Sequence, residues 1–208
     1  MKYTHILWDF NGTILDDVDA GIVSVNKLLA DRGLKTISGK EEYREVFGFP
    51  IIDYYRRIGF DLEAEPFHII APIWVEQYMK NVKNATVYDD FLETAERFRK
   101  AGLKQVIISA TEINMLVGQL SDLSVIDYFD DICGLDNIHA ESKADIAIEW
   151  RKKNEKAVPL MIGDTLHDAE VAEKIGADCI LVARGHQPKR VLTESGETVV
   201  DRLKDIIL

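Results

Sequence analysis

Ile6-Leu7-Trp8-Asp9-Phe10-Asn11-Gly12-Thr13 is a short apolar run that ends on a carboxylate and passes into an Asn-Gly turn. Consecutive apolar residues bounded by a turn signal read as a strand buried on both faces, and Asp9 then stands at its carboxyl end. Three further runs have the same character: Val106 to Ile108, Leu160 to Ile162, and Cys179 to Val182. Helix-spaced apolar residues lie between the later runs. Phe91, Ala95 and Phe98 are closed by Gly102, Ile146, Ile148 and Trp150 mark a second helix, and Ala169, Ala172 and Ile175 precede Gly176. This alternation predicts an α/β fold with a Rossmann-like, mostly parallel sheet flanked by helices.

The stretch between Trp8 and Val106 is far longer than the dozen or so residues that a single crossover helix needs. It contains Ile22, Val25, Leu28 and Leu29, then Phe67, Ile70 and Trp74, at helical spacing. The reading is an inserted helical cap domain over 17–84, with a core domain made of 1–16 and 85–208. Pro50, Pro66 and Pro72 are expected to start, kink or break helices inside that cap.

Composition limits the function classes. A hydrophobic content of 47% suits one well-buried core plus a modest insertion. The formal net charge of −11 argues against nucleic acid or an anionic membrane surface as partner, because the long-range field repels polyanions. No apolar run reaches the length of a membrane span, and Met1-Lys2-Tyr3-Thr4-His5 lacks the features of a signal peptide, so a cytoplasmic location is expected. Cys133 and Cys179 lie far apart and read as buried free thiols.

In open α/β sheets, ligands bind beyond the carboxyl ends of the strands, which singles out Asp9, Ser109 and Asp164. A carboxylate nucleophile, a hydroxyl for a phosphate oxygen and a metal-binding carboxylate converging on one crevice point to phosphoryl transfer.

These residues resemble the motifs of the haloacid dehalogenase superfamily, and the position of the insertion resembles its phosphoglycolate phosphatase-like members. The first motif of that family is a strand followed by Asp-x-Asp-Gly-Thr, and Trp8-Asp9-Phe10-Asn11-Gly12-Thr13 occupies it. Val106-Ile107-Ile108-Ser109 looks like the second, Lys143 in Ser142-Lys143-Ala144-Asp145 fits the third, and Gly163-Asp164-Thr165-Leu166-His167-Asp168 looks like the fourth.

The resemblance implies that Asp9 is the nucleophile and forms an aspartyl phosphate that water then hydrolyses. Mg²⁺ is the implied cofactor, held by Asp9, the backbone carbonyl of Asn11 and Asp164, with Asp168 holding a metal-bound water or positioning Lys143. Gly12, Thr13, Ser109, Ala110 and Lys143 are the implied phosphate contacts. His167 has no partner at a metal-ligand spacing and is read as a supporting or structural residue.

Asn11 departs from the pattern. The family's second aspartate protonates the leaving group and later activates water, and an amide can do neither. General acid/base catalysis contributes about 10²- to 10⁴-fold, so slow turnover is expected, with acyl phosphates, aryl phosphates and phosphoanhydrides suffering least at the first step.

Arg44, Arg56 and Arg57 are the cap's candidate anion contacts, against a reading as solvated surface charges. Phe47-Gly48-Phe49-Pro50 resembles the family's glycine-bearing cap loop and lacks the arginine that its sugar-phosphate mutases carry after the glycine. The leading reading is therefore a phosphatase of a small phosphorylated metabolite, acting as monomer or homodimer. A phosphosugar mutase or other phosphotransferase, and a catalytically silent phosphate-ligand binder, are the alternatives.

Overall fold

The computed structural model describes residues 2–135 and 142–208. One parallel sheet contains β1 (His5–Trp8), β2 (Lys104–Glu112), β3 (Asp131–Leu135), β4 (Pro159–Gly163), β5 (Asp178–Val182) and β6 (Thr198–Val200), in the order β3-β2-β1-β4-β5-β6. The four apolar runs are β1, β2, β4 and β5. The sequence reading missed β3 and β6, which are edge strands: β3 contains a glycine and only half-buried apolar residues, and β6 has three residues. Edge strands face solvent along one side and need no continuous apolar run.

The chain fills one half of the sheet with β1, β2 and β3, then crosses back to β4 and continues outward. The switch point therefore falls between β1 and β4, where a crevice for ligand opens. Trp8 pairs with Ile162 in the register of these two strands, which brings their carboxyl ends level with each other.

After β1 the chain first forms four helices, α1 (Val18–Asp31), α2 (Lys40–Val46), α3 (Ile51–Arg57) and α4 (Phe67–Asn81), before it returns to the sheet. Pro50 and Pro66 stand immediately before α3 and α4, where a missing N–H costs nothing, while Pro72 lies inside α4. These helices share a hydrophobic cluster of their own, including Val25, Leu28, Tyr43, Tyr54, Tyr55 and Ile70.

The sheet is covered on both faces by α5 (Phe91–Lys100), α6 (Ile113–Asp122), α7 (Lys143–Lys153) and α8 (Leu166–Ile175), with α9 (Lys189–Glu194) before β6. Alternate residues of β1 serve opposite layers: Ile6 and Trp8 pack with Phe91, Phe98 and Leu116, and Leu7 packs with Trp150, Met161 and Val171. Trp8 is fully buried against the rings of Phe91 and Phe98 and donates its indole N–H to Gln105 at 3.1 Å. Burying each such side chain contributes about 1.5–3 kcal/mol, and truncating Trp8 would open a cavity beside Asp9.

Candidate active site

Two helix starts and two strand ends build the site. Asp9 follows β1 and Asp164 follows β4. The Thr13 hydroxyl lies 3.1 Å from Asp9 Oδ2 and 3.2 Å from Asp164 Oδ1, so it spans the two carboxylates. Ser142 caps α7 by a reciprocal bond with Asp145, which makes Lys143 the first residue of that helix and aims its side chain at the strand tips. Lys143 Nζ pairs with both Asp9 and Asp168.

Asp168 does two things at once. One oxygen accepts from Lys143, and the other accepts from the Asp164 N–H (3.2 Å), the Thr165 N–H (3.0 Å) and the Thr165 hydroxyl (2.8 Å), closing the start of α8. Asp168 thus both holds Lys143 and closes the first turn of α8.

Asp9, Asp164, Asp168 and Lys143 are all buried. Burial pushes the Asp9 carboxyl up to about 6 even though Lys143 opposes the shift. Burial, reinforced by Asp9 and Asp168, carries Asp164 to about 8 against the pull of His186. At Asp168 burial acts upward too, but the Lys143 ammonium outweighs it and the carboxyl falls below its ordinary range. Lys143 is raised because its two carboxylates overcome the desolvation that would neutralise it.

Crowded, buried carboxylates that resist ionisation call for a cation. Asp9, Asp164 and Asp168 each offer an oxygen, all within 4.8 Å of one another. An all-oxygen donor set of this kind fits a hard divalent ion such as Mg²⁺.

Asn11 sits above this group in a tight polar network. Its carbonyl oxygen accepts from the Thr111 hydroxyl at 3.0 Å, and its NH₂ donates to Asp17 at 2.9 Å and to the Tyr78 hydroxyl at 2.7 Å. Asp17 also accepts from Tyr78 (2.6 Å) and from the Gly12 N–H (2.8 Å), and it pairs with His186 Nε2 at 3.3 Å. His186 in turn shares a 2.8 Å bond with the Tyr43 hydroxyl and donates its backbone N–H to Asp164 at 2.6 Å. Burial would neutralise both members of the Asp17–His186 pair, but their mutual attraction prevails. The Asp17 carboxyl is held low and the imidazole is raised to about 9.

The sequence reading missed Asp17, Tyr43, Tyr78, Thr111 and His186. Asp17 reads from sequence only as the edge of the insertion, but its side chain makes no capping bond to α1 and meets Asn11, Gly12 and His186 instead. His186 was findable, since the segment after β5 is another strand end on the same edge of the sheet. Tyr43 and Tyr78 carry no local signal, because their roles depend on how α2 and α4 lie over the sheet.

A cavity of about 390 Å³ opens over the carboxylates, lined by Asp9, Asn11, Ser109, Ala110 and Lys143 at its floor. Ser109 is buried and its hydroxyl donates to Thr111 Oγ1 at 3.1 Å. His167 stacks on Phe49 with centroids 4.6 Å apart and bonds Glu170, consistent with a supporting place.

Arg44, Arg56 and Arg57 are not among the residues that line this cavity. Arg44 donates to the backbone carbonyls of Gly185 (2.8 Å) and Arg184 (2.5 Å), Arg56 pairs with Asp53, and Arg57 donates to the Val46 carbonyl at 2.7 Å. Guanidinium groups satisfied by helix-end and loop carbonyls fasten the insertion to the loop after β5 and to itself. Of the thiols, Cys179 is buried and Cys133 half-buried, both free. No helix among the described residues is long and apolar enough to cross a membrane.

Comparison with known proteins agrees with this geometry. Residues 6–182 match the family model of haloacid dehalogenase-like hydrolases. The phosphoglycolate phosphatase of Pseudomonas savastanoi is 24% identical, with 97% of this chain and 78% of that protein aligned, and the one from Rhodobacter capsulatus is 23% identical over 88% and 85%. Among solved structures, a haloacid dehalogenase-like hydrolase from Streptococcus pneumoniae superposes with a TM-score of 0.80 at 18% identity, over 98% of this chain and 96% of that one. CbbY from Rhodobacter sphaeroides, solved with phosphate, gives 0.70 at 17% over 98% and 96%. With the family model spanning nearly the whole α/β sheet and its insertion, this chain belongs to the haloacid dehalogenase-like hydrolases.

Proposed function

We propose that the protein hydrolyses phosphate monoesters of small metabolites through an aspartyl phosphate on Asp9, at a rate limited by Asn11. The observation that supports this most directly is the placing of the Asp9 and Asp164 carboxylates side by side at the switch point, spanned by Thr13 and faced by Lys143. In this reading residues 17–84 form the cap and 1–16 with 85–208 the core. The phosphoglycolate phosphatases among the relatives support phosphatase chemistry.

Asp9 attacks phosphorus and the ester oxygen leaves with the electron pair of the broken P–O bond. Lys143 neutralises charge on the transferred group, with the Thr13 and Ser109 hydroxyls and the backbone N–H groups around Gly12 and Ala110 as further donors. Asp9, Asp164, the Asn11 backbone carbonyl and Asp168 would hold Mg²⁺, which when bound offsets the negative charge gathered between carboxylates and phosphate. Water then attacks phosphorus, the bond to Asp9 breaks, and phosphate leaves with both protons of the water.

Asn11 can neither protonate an alkoxide nor take a proton from that water, so with a leaving group that needs no proton the second step is the slow one and the phosphoenzyme is expected to accumulate. Acid-quenching the protein during turnover with Mg²⁺, and locating the phosphate by mass spectrometry, tests the reading. Phosphate on Asp9, lost together with hydrolysis in Asp9→Ala, is the expected result. Hydrolysis that survives Asp9→Ala would refute it.

A further inference from the structure

We infer that the substrate is an aryl phosphate, a phosphate ester of a small phenol, rather than a carboxylated or sugar phosphate. The inference rests on the hydrolase reading above and narrows it by one observation, the lining of the cavity, and one chemical argument that follows from that reading.

The first concerns what the leaving group touches. Above the carboxylates the cavity lining includes Phe47, Phe49, Ile51, Trp74 and Met115, from the insertion and from α6, together with Tyr54, whose buried hydroxyl has no hydrogen-bond partner among the described residues. At about 390 Å³ it lies near the lower end of the roughly 300–1,000 Å³ of small-ligand sites, room for one compact ring.

Among the described lining residues the cationic or imidazole groups are Lys143, His167 and His186. Each is engaged: Lys143 by Asp9 and Asp168, His186 by Asp17, and His167 by Glu170. Arg44, Arg56 and Arg57 are tied to carbonyls or to Asp53. A substrate carboxylate would be desolvated against aromatic faces with Asp17 and Glu112 as further neighbours, an arrangement that penalises it. An aromatic ring is favoured on the same wall by area and by ring-ring contact.

The second is chemical. In the hydrolase reading Asn11 stands where an acid would meet the ester oxygen, and its amide has no proton to give. An alkoxide, whose conjugate acid ionises at about 16 like water, departs badly without that proton, whereas a phenolate, at about 10, does not need it. The step balances as Asp9 carboxylate plus aryl phosphate giving aspartyl phosphate plus phenolate, which takes its proton from solvent. The wall selects for a ring and the floor selects for a leaving group, and an aryl ester meets both.

Four substrates separate the two features: phenyl phosphate has both, benzyl phosphate the ring alone, acetyl phosphate the good leaving group alone, and 2-phosphoglycolate neither. With Mg²⁺, kcat/KM for phenyl phosphate is expected to exceed each of the others by about tenfold or more. Trp74→Phe should preserve that order, and Trp74→Ala should raise KM for phenyl phosphate by a larger factor than KM for acetyl phosphate. An equal or higher value for phosphoglycolate or acetyl phosphate overturns the inference while leaving the hydrolase reading intact. If no substrate yields Asp9-dependent phosphate, the hydrolase reading fails, and calorimetry with phenylphosphonate and phosphonoacetate still decides the pocket. Tighter binding of phosphonoacetate would overturn the aryl assignment.

Discussion

A 2.9 Å hydrogen bond runs from the side-chain amide of Asn11 to a carboxylate oxygen of Asp17, and the Tyr78 hydroxyl touches both residues. The amide is therefore a donor to a buried anion at the position proposed above for the acid/base group. In Asn11→Asp two carboxyl groups would meet at hydrogen-bond distance, with a single Tyr78 O–H able to serve only one of them. Because His186 holds Asp17 ionised, the repulsion favours a proton on the new carboxyl at residue 11, which is the state a general acid requires.

Asn11→Asp is accordingly expected to hydrolyse benzyl phosphate about 10²- to 10⁴-fold faster than the native protein, and to gain much less at the first step with phenyl phosphate. Pre-steady-state release of each alcohol measures that step. Equal gains for the two esters would show that leaving-group protonation is not what Asn11 withholds.

Stability should fall with rising pH when divalent ions are absent. Asp9 and Asp164 bind protons more tightly folded than unfolded, between the ordinary 3.8 and about 6 and about 8 respectively. His186 does the same between 6.5 and about 9. A folded state that holds extra protons loses stability as pH rises through those windows, so all three groups act in one direction. Asp17 and Asp168, held low, act oppositely but only below their ordinary 3.8. Melting in EDTA should shift downward from pH 6 to pH 9, and added Mg²⁺ should restore more at pH 8 than at pH 6. A flat profile in EDTA would contradict the burial argument.

Much of this was legible in the residues themselves. Asp9, Ser109 and Asp164 were found because a buried parallel strand announces itself as an apolar run and its ligand-facing residue comes next in sequence. Lys143 needed the family resemblance, since one lysine at a helix start carries no pattern. The rest could not be read locally. Arg44 is a cation at helical spacing whether it meets a substrate or the carbonyls of residues 184 and 185, and only the lie of α2 over the sheet separates the cases. Tyr43 and Tyr78 look like core aromatics, and their hydroxyls acquire partners only when the insertion closes on the strand ends.

Lys143→Met keeps the length of the side chain and removes its charge. Asp9 and Asp168 would then face each other buried and unpaired, and breaking a buried pair in this way costs about 3–5 kcal/mol. Urea denaturation in EDTA should show a loss of that order, and Mg²⁺ should recover part of it by supplying a replacement cation. A loss below about 1 kcal/mol would mean that the ion pairs are solvated.

Gly185→Ala tests the positioning of Asp164 by its backbone neighbour. A Cβ at residue 185 would lie 2.0 Å from Asp164 Oδ2, the oxygen that accepts the His186 N–H at 2.6 Å. Asp164 is fully buried and cannot swing away without leaving both Thr13 and His186, so the carboxylate must shift and the loop must move with it. Disturbing a group that orients a metal ligand typically costs about 10- to 100-fold in affinity, and a weakening of Mg²⁺ binding in that range is expected by calorimetry. Gly196→Ala is the matched control: with φ of 82° and nothing within 4 Å of its Cβ, it strains the backbone far from the carboxylates. It should lower the melting temperature and leave Mg²⁺ affinity unchanged. Equal losses of affinity in the two variants would trace the effect to general destabilisation and remove Gly185 from the account of the site.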